Sequence, residues 1–285
     1  MESSHPGVTG LVPDISINEG NDMNNLASRQ LVPGPGSRIL IAGGSGGIGR
    51  ELVRACVELD FRVAVLDISE SLQAHPLEDG VTYLPFDGRE PQSIEEAVGK
   101  VSGMWDGLEH FSFLSGFPII PKVELKDTPL SKWNELIAVN LTSAYLLATH
   151  VMPLLKQGTS PTMVTVVSSL AYQAAPGMGA YLTSKGGLVS LTKALAVENA
   201  PLVRVNAVAP GAVDTEFLSG GTGRSDDKNA RAWFDEQSES YRALIPLGRV
   251  AEPIDVVGPI LFLAGQGSRY MTGQVLHLNG GRLTP

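Results

Sequence analysis

From Arg38 onward, short runs of nearly unbroken apolar residues alternate with longer stretches in which apolar positions recur every three or four residues. The short runs are RILIAGG, RVAVLDI, VTYLPFD, LEHFSFLSG, TMVTVVSS, VRVNAVAPG and GQVLHLNGG. Runs without a polar face suit strands covered by helices on both sides, as in parallel sheets. Between them, GIGRELVRACVEL places Ile48, Leu52, Ala55 and Leu59 on one helical face. Helices are predicted likewise for PQSIEEAVGKV, for the long LSKWNELIAVNLTSAYLLATHVMPLLKQ, for GAYLTSKGGLVSLTKALAVEN and, despite its inner proline, for EPIDVVGPILFLAG. Strict strand–helix alternation predicts the α/β class: a Rossmann-type doubly wound parallel sheet of about seven strands with helices on both faces.

Two stretches fall outside the pattern. Residues 1–36, rich in Gly, Pro, Asn and Ser and ending LVPGPGS, predict a flexible arm before a single domain over 37–285. The arm has neither the basic start nor the apolar centre of a secretory signal. Residues 215–247 carry SGGTGRSDDKN and then the amphipathic ARAWFDEQSESYRALIPL, too long and too polar for an ordinary connection, and predict a substrate lid.

Charge and cysteine content narrow the partners. With 30 acidic against 21 basic residues, the formal charge of −9 disfavours an electrostatic grip on nucleic acid or an anionic membrane. No uninterrupted apolar run approaches the roughly 18 residues that span a bilayer. Cys56 is the single cysteine, so no disulfide forms within the chain, which suits the cytoplasm.

The chemistry begins at AGGSGGIGR, between the first strand and the first helix. Gly43, Gly47 and Gly49 let the backbone turn tightly and bring its N–H groups to a pyrophosphate at the helix N-terminus. Ser45 and Ile48 belong to the same cradle. Asp67 ends the second strand, where a carboxylate accepts hydrogen bonds from the adenosine ribose and repels a 2′-phosphate. No Lys or Arg stands inside the loop or directly after Asp67, so NAD is the expected cofactor rather than NADP. Asp87, ending the third strand, is placed to reach the adenine amino group.

Farther along, VSSLAYQAAPGMGAYLTSK holds two serines, two tyrosines and a lysine. Tyr181 and Lys185 share a helical face at i, i+4. An ammonium about 4 Å from a phenol, at an effective dielectric near 20, lowers its pKa by at most about 3 units. Tyr181 would then exchange a proton near neutral pH while Lys185 holds its charge. Tyr172 has no such neighbour and reads as pocket wall or loop. Ser168 and Ser169 are both placed to bind a substrate oxygen.

Taken together, these motifs resemble the short-chain dehydrogenase/reductase family over nearly everything from Arg38 to the end. AGGSGGIG is similar to that family's TGxxxGIG, with Ala42 in the threonine's place, and Tyr181 with Lys185 matches its YxxxK. The resemblance implies a catalytic set of Asn140, Ser169, Tyr181 and Lys185. Ser169 is favoured as the second of its pair, with Ser168 as its rival. Asn140 would support a water-linked proton relay. APGAVDT matches PGxxxT and implies cofactor contacts from Pro210, Gly211, Val213 and Thr215. Gly116 would leave backbone room beside the cofactor, although Phe113, Leu114, Ser115 and Gly116 replace the usual NNAG. A homotetramer follows by family analogy alone.

The expected activity is NAD-dependent interconversion of a secondary alcohol and a ketone, a small-molecule pair of largely uncharged character. Two alternatives stand beside it: a 3-ketoacyl-thioester reductase, and a non-catalytic NAD-binding protein on the same fold. The first normally uses NADPH, which Asp67 disfavours. The second predicts loss of Tyr181 or Lys185, and both are present.

Overall fold

Every apolar run becomes a strand of one sheet in the computed structural model, which describes residues 31–222 and 239–284. The strands are β1 (Arg38–Ala42), β2 (Arg62–Asp67), β3 (Thr82–Pro85), β4 (His110–Phe113), β5 (Thr162–Val166), β6 (Arg204–Pro210) and β7 (Val275–Leu278). They lie in the order β3-β2-β1-β4-β5-β6-β7, and every neighbouring pair is parallel. The helices are α1 (Gly47–Glu58), α2 (Ser69–Ala74), α3 (Pro91–Met104), α4 (Leu130–Ile137), α5 (Ser143–Leu155), α6 (Gly179–Asn199) and α7 (Pro253–Ala264).

The pleat divides each strand between two cores. Leu40 and Ala42 of β1, Ala64 and Leu66 of β2, and Phe111 and Phe113 of β4 pack with buried residues of α3, α5 and α6. Ile39, Ile41, Val63 and Val65 face the other way, onto Leu52, Val53 and Cys56 of α1 and onto Val256, Val257 and Ile260 of α7. Pro253 and a reciprocal capping pair, Glu252 with Asp255, start α7, which then carries Pro259 in its interior.

One expectation changes. Residues 31–36, assigned to the arm, lie along the domain instead: the Gly267 N–H donates to the Leu31 carbonyl, Val32 packs on the α1/α7 core, and the Gly36 N–H donates to Asp60. Backbone bonds fix this segment, so side-chain periodicity gave no warning. Residues 1–30 of the arm lie outside the described residues. So does most of the expected lid, residues 223–238. Finally, α4 and α5 run on through a π turn at Ala138–Thr142, making one helix from Leu130 to Leu155 that is long and apolar enough to cross a membrane. Leu147, Val151 and Leu155 on its inner face are fully buried in the sheet core, which explains the apolarity.

The sheet reverses direction of growth between β1 and β4, since β2 and β3 extend one way and β4 to β7 the other. A crevice opens there, beyond the carboxyl ends of the strands, at the position where α/β sheets bind ligands.

Candidate active site

A cleft of about 1100 Å³ occupies this crevice and runs from Asp67 and Ile68 at one end to Tyr181 and Phe217 at the other. It exceeds the roughly 300–1000 Å³ of ordinary small-ligand pockets.

The Asp67 end is built from the turn between β1 and α1. Gly43 has φ +84°, and a Cβ there would lie 2.6 Å from the Ser115 nitrogen. A Cβ on Gly49 would collide with the Gly43 carbonyl oxygen, and one on Gly47 with the Thr215 methyl group. The turn is therefore as tight as its backbone allows. Helix α1 begins without a side-chain cap and without an acidic residue in its first turn, and Gly46, Gly47, Ile48 and Gly49 line the cleft. Uncapped N–H groups at a helix N-terminus favour an anionic group. The Ser45 hydroxyl is buried without a hydrogen-bond partner among the described residues, and buried polar groups seldom stay so. These features fit a dinucleotide's pyrophosphate.

Asp67 is buried, 9% exposed, at the end of β2. Its Oδ2 accepts the Ser45 N–H at 2.9 Å and its Oδ1 the Ile68 N–H at 2.9 Å, so it also fixes the glycine turn. Asp87 lines the same end, but its carboxylate is gripped by Arg89 through the side chain and the backbone N–H. Its place on the cleft wall is the one expected of it, with a local cation, two residues on, as its partner. Pro210, Gly211, Val213 and Thr215 border the cleft opposite. Backbone bonds hold this exit from β6: the Asp214 N–H donates to Ala251, and the Gly211 N–H to Leu278.

At the other end, α6 brings Tyr181 and Lys185 to the C-terminal edge of β5. Both are buried, at 6% and 3% exposed. Lys185 Nζ donates to the Val166 carbonyl at 2.9 Å and stands 5.9 Å from the centre of the Tyr181 ring. Burial draws the ammonium down to about 8. Burial also pushes the Tyr181 phenol above its ordinary range, and a side-chain hydrogen bond with Ser168 pulls the other way. The expected lowering of Tyr181 by Lys185 is thus not what these side chains produce. The ammonium is spent on a carbonyl, and desolvation dominates.

Of the two serines, Ser168 is the one that meets Tyr181. It is buried, and its Oγ caps the following turn by accepting the Leu170 N–H at 3.2 Å. Ser169, the favoured candidate, also lines the cleft and begins a 3₁₀ turn, Ser169–Ala171. Tyr172 packs edge-on against His277 with ring centres 4.6 Å apart and is absent from the cleft wall.

Asn140 sits in the π turn, fully buried. Its Oδ1 accepts the Phe117 N–H, and its Nδ2 donates to the Phe117 carbonyl and to Ser184 Oγ, at 3.0, 3.0 and 3.1 Å. It therefore ties the β4 exit loop to α6 one residue before Lys185. Gly116 lies in this junction with φ +154°; a Cβ there would fall 3.1 Å from Asn140 Oδ1 and 3.4 Å from Lys185 Nζ. Around Tyr181, the buried Phe117, Leu136 and Val139 form an apolar cluster against which Met178 and Phe217 pack. Arg89 and Ser115 also line the cleft, and neither was among the candidates.

The profile of a family described as enoyl-(acyl carrier protein) reductase matches residues 42–282. A chloroplastic NADPH-dependent aldehyde reductase-like protein of Arabidopsis thaliana is 29% identical over 273 residues, covering 89% of this chain and 97% of its own. A 3-oxoacyl-(acyl-carrier-protein) reductase of Aquifex aeolicus is 29% identical over 250 residues, covering 85% and 95%. Among solved structures, a short-chain glucose/ribitol dehydrogenase from Brucella melitensis superposes with a TM-score of 0.79 at 22% identity, covering 89% of this chain and 99% of its own. With a seven-stranded parallel sheet, a glycine turn at its switch point and this breadth of match, the chain belongs to the short-chain dehydrogenase/reductase family of oxidoreductases.

Proposed function

We propose that the protein is an NAD-dependent oxidoreductase that interconverts a secondary alcohol and a ketone. The observation that carries this reading is the buried trio of Tyr181, Ser168 and Lys185 at the apolar end of a cleft whose other end is the glycine cradle and Asp67. A bound nicotinamide dinucleotide supplies the hydride acceptor or donor. The chain's own groups handle the rest. Tyr181 gives its phenolic proton to the ketone oxygen, or takes it back from the alcohol. Ser168, rather than Ser169, holds that oxygen. Lys185 keeps a positive charge next to the developing phenolate, and Asn140 fixes the loop against α6 so that Lys185 stays in register. Phe117, Met178 and Phe217 favour a substrate of mostly apolar surface.

Asp67 supports NAD over NADP. A 2′-phosphate beside it would meet a buried carboxylate, while the arginines near that end are engaged, Arg89 with Asp87 and Arg50 with Glu216. A relative named for NADPH makes the cofactor the first thing to measure. The similarity to a 3-oxoacyl reductase favours a second reading, reduction of a β-ketoacyl thioester with NADPH. On either reading, family resemblance points to a homo-oligomer, and the single Cys56 suits a reducing compartment such as the cytoplasm.

The deciding experiment incubates the protein with NAD⁺ or NADP⁺ and a panel of secondary alcohols, and with NADH or NADPH and a β-ketoacyl thioester. Absorbance of the reduced cofactor is followed. The proposal expects NAD-linked alcohol oxidation, at least about 100-fold slower in Tyr181→Phe. Asp67→Ala should narrow the preference for NAD. Turnover of the thioester alone, with NADPH, would replace the proposal with the second reading. NADH binding without turnover of any substrate, equal in wild type and Tyr181→Phe, would leave a binding protein.

A further inference from the structure

We infer that Ser115 is a cofactor-binding residue, its hydroxyl hydrogen-bonding an oxygen of the nicotinamide-side ribose or phosphate of the dinucleotide. The inference rests on the dinucleotide reading of the cleft and adds to it a contact specific to this chain.

Ser115 lines the cleft just past the end of β4, and its hydroxyl is buried with no hydrogen-bond partner among the described residues. Only two other buried side-chain polar atoms share that condition among the described residues, and one of them, Ser45 Oγ, is in the glycine turn. Buried hydroxyls are nearly always paired, because an unpaired one has given up water and gained nothing. One such group on the cleft wall and a second inside the adjoining glycine turn mark a surface completed by a polar ligand.

Position narrows which part of the ligand this is. On one side, the Ser115 nitrogen is packed so closely on Gly43 that a Cβ there would fall 2.6 Å away. On the other side, Gly116 abuts Asn140 and Lys185. Ser115 thus stands between the pyrophosphate cradle and the reacting end, where a dinucleotide presents ribose hydroxyls and phosphate oxygens. A serine hydroxyl both donates and accepts, so it can serve either. Its neighbours supply no internal partner: Phe113 is fully buried in one core, and Leu114 packs on the other.

The test compares wild type with Ser115→Ala and with Ser115→Cys, which fills similar space but hydrogen-bonds weakly. Binding of NADH and of AMP is measured by titration calorimetry, and the melting temperature of the free protein by fluorescence. AMP carries the adenosine end without the bridge to nicotinamide. Both variants should bind NADH about five- to tenfold more weakly, bind AMP within about twofold of wild type, and melt no lower than wild type. A residue that merely supports the fold would lower the melting temperature instead. NADH affinity within about twofold of wild type in Ser115→Ala overturns the inference, as does an equal loss for AMP. If wild type binds neither NADH nor NADPH, the dinucleotide reading itself fails and the inference falls with it.

Discussion

Lowering the pH from 7 to 5 is expected to weaken the fold mainly through His110, with a contribution of the same sign from His277, whose imidazole burial also lowers. The His110 side chain is fully buried in β4, with Nδ1 2.7 Å from Thr162 Oγ1 and Nε2 2.7 Å from Ser112 Oγ. The two hydroxyls can rotate, so a neutral ring donates from one nitrogen and accepts at the other. Protonation would leave a charge in the sheet interior. Burial accordingly draws the imidazole down to about 3, and the nearby Arg204 charge adds to the effect. In the unfolded chain the ring titrates near 6.5. The sign follows: between these values the unfolded state binds the extra proton, so stability is full above the unfolded value and is lost as pH falls. Each pH unit within the window removes about 1.4 kcal/mol, which gives about 2 kcal/mol between pH 7 and pH 5. Urea unfolding at pH 7, 6 and 5 measures it. With a slope near 3 kcal/mol per molar, the midpoint should fall by roughly 0.7 M. Carboxylates confuse the picture only lower down, since Asp255 is held at about 2 by its bond from Arg249. His110→Gln, which cannot take up the proton, isolates the contribution. It should start less stable at pH 7 and show a pH dependence flatter by about 2 kcal/mol over the same range. Equal pH dependence in wild type and variant would refute the reasoning.

Three further outcomes test the site. Ser168→Ala should lower kcat/KM about 10- to 100-fold, whereas Ser169→Ala should stay within about threefold, because only Ser168 meets Tyr181; steady-state kinetics on both variants decide, and the reverse order would restore Ser169. Gly49→Ala should abolish measurable NADH binding and lower stability by about 1–3 kcal/mol, because its Cβ would run into backbone atoms of Gly43 and Gly44 that cannot swing aside; a wild-type melting curve would contradict the cradle geometry. Ketone reduction needs Lys185 as the ammonium, which burial holds at about 8, so kcat should be level below that pH and fall as pH rises through it. Lys185→Met should lack that alkaline limb in a pH–rate profile.

Which parts of this site could be read in advance depends on the range of the interactions that build each part. The glycine turn, Asp67 and the Tyr181–Lys185 spacing were legible because each rests on one local rule: a turn that excludes Cβ, a strand end, or one helical repeat. The alternating cores were legible for the same reason, as β1 and β2 simply send neighbouring residues to opposite faces. The grip of Arg89 on Asp87 was not legible although the two lie two residues apart, because a carboxylate at a strand end has no periodicity to reveal what it bonds. Ser168 and Ser169 differ only in how the backbone leaves β5, and the 3₁₀ turn that decides between them leaves no hydrophobic pattern. Lys185 shows the limit most sharply. Helical spacing correctly brought it to the side of Tyr181, but its Nζ bonds the Val166 carbonyl at the end of β5, a partner the helix cannot encode. Proximity along a helix therefore identified the pair without giving its electrostatics. Those follow from burial, which raises the phenol, lowers the ammonium and leaves Ser168 as the polar partner of the Tyr181 hydroxyl.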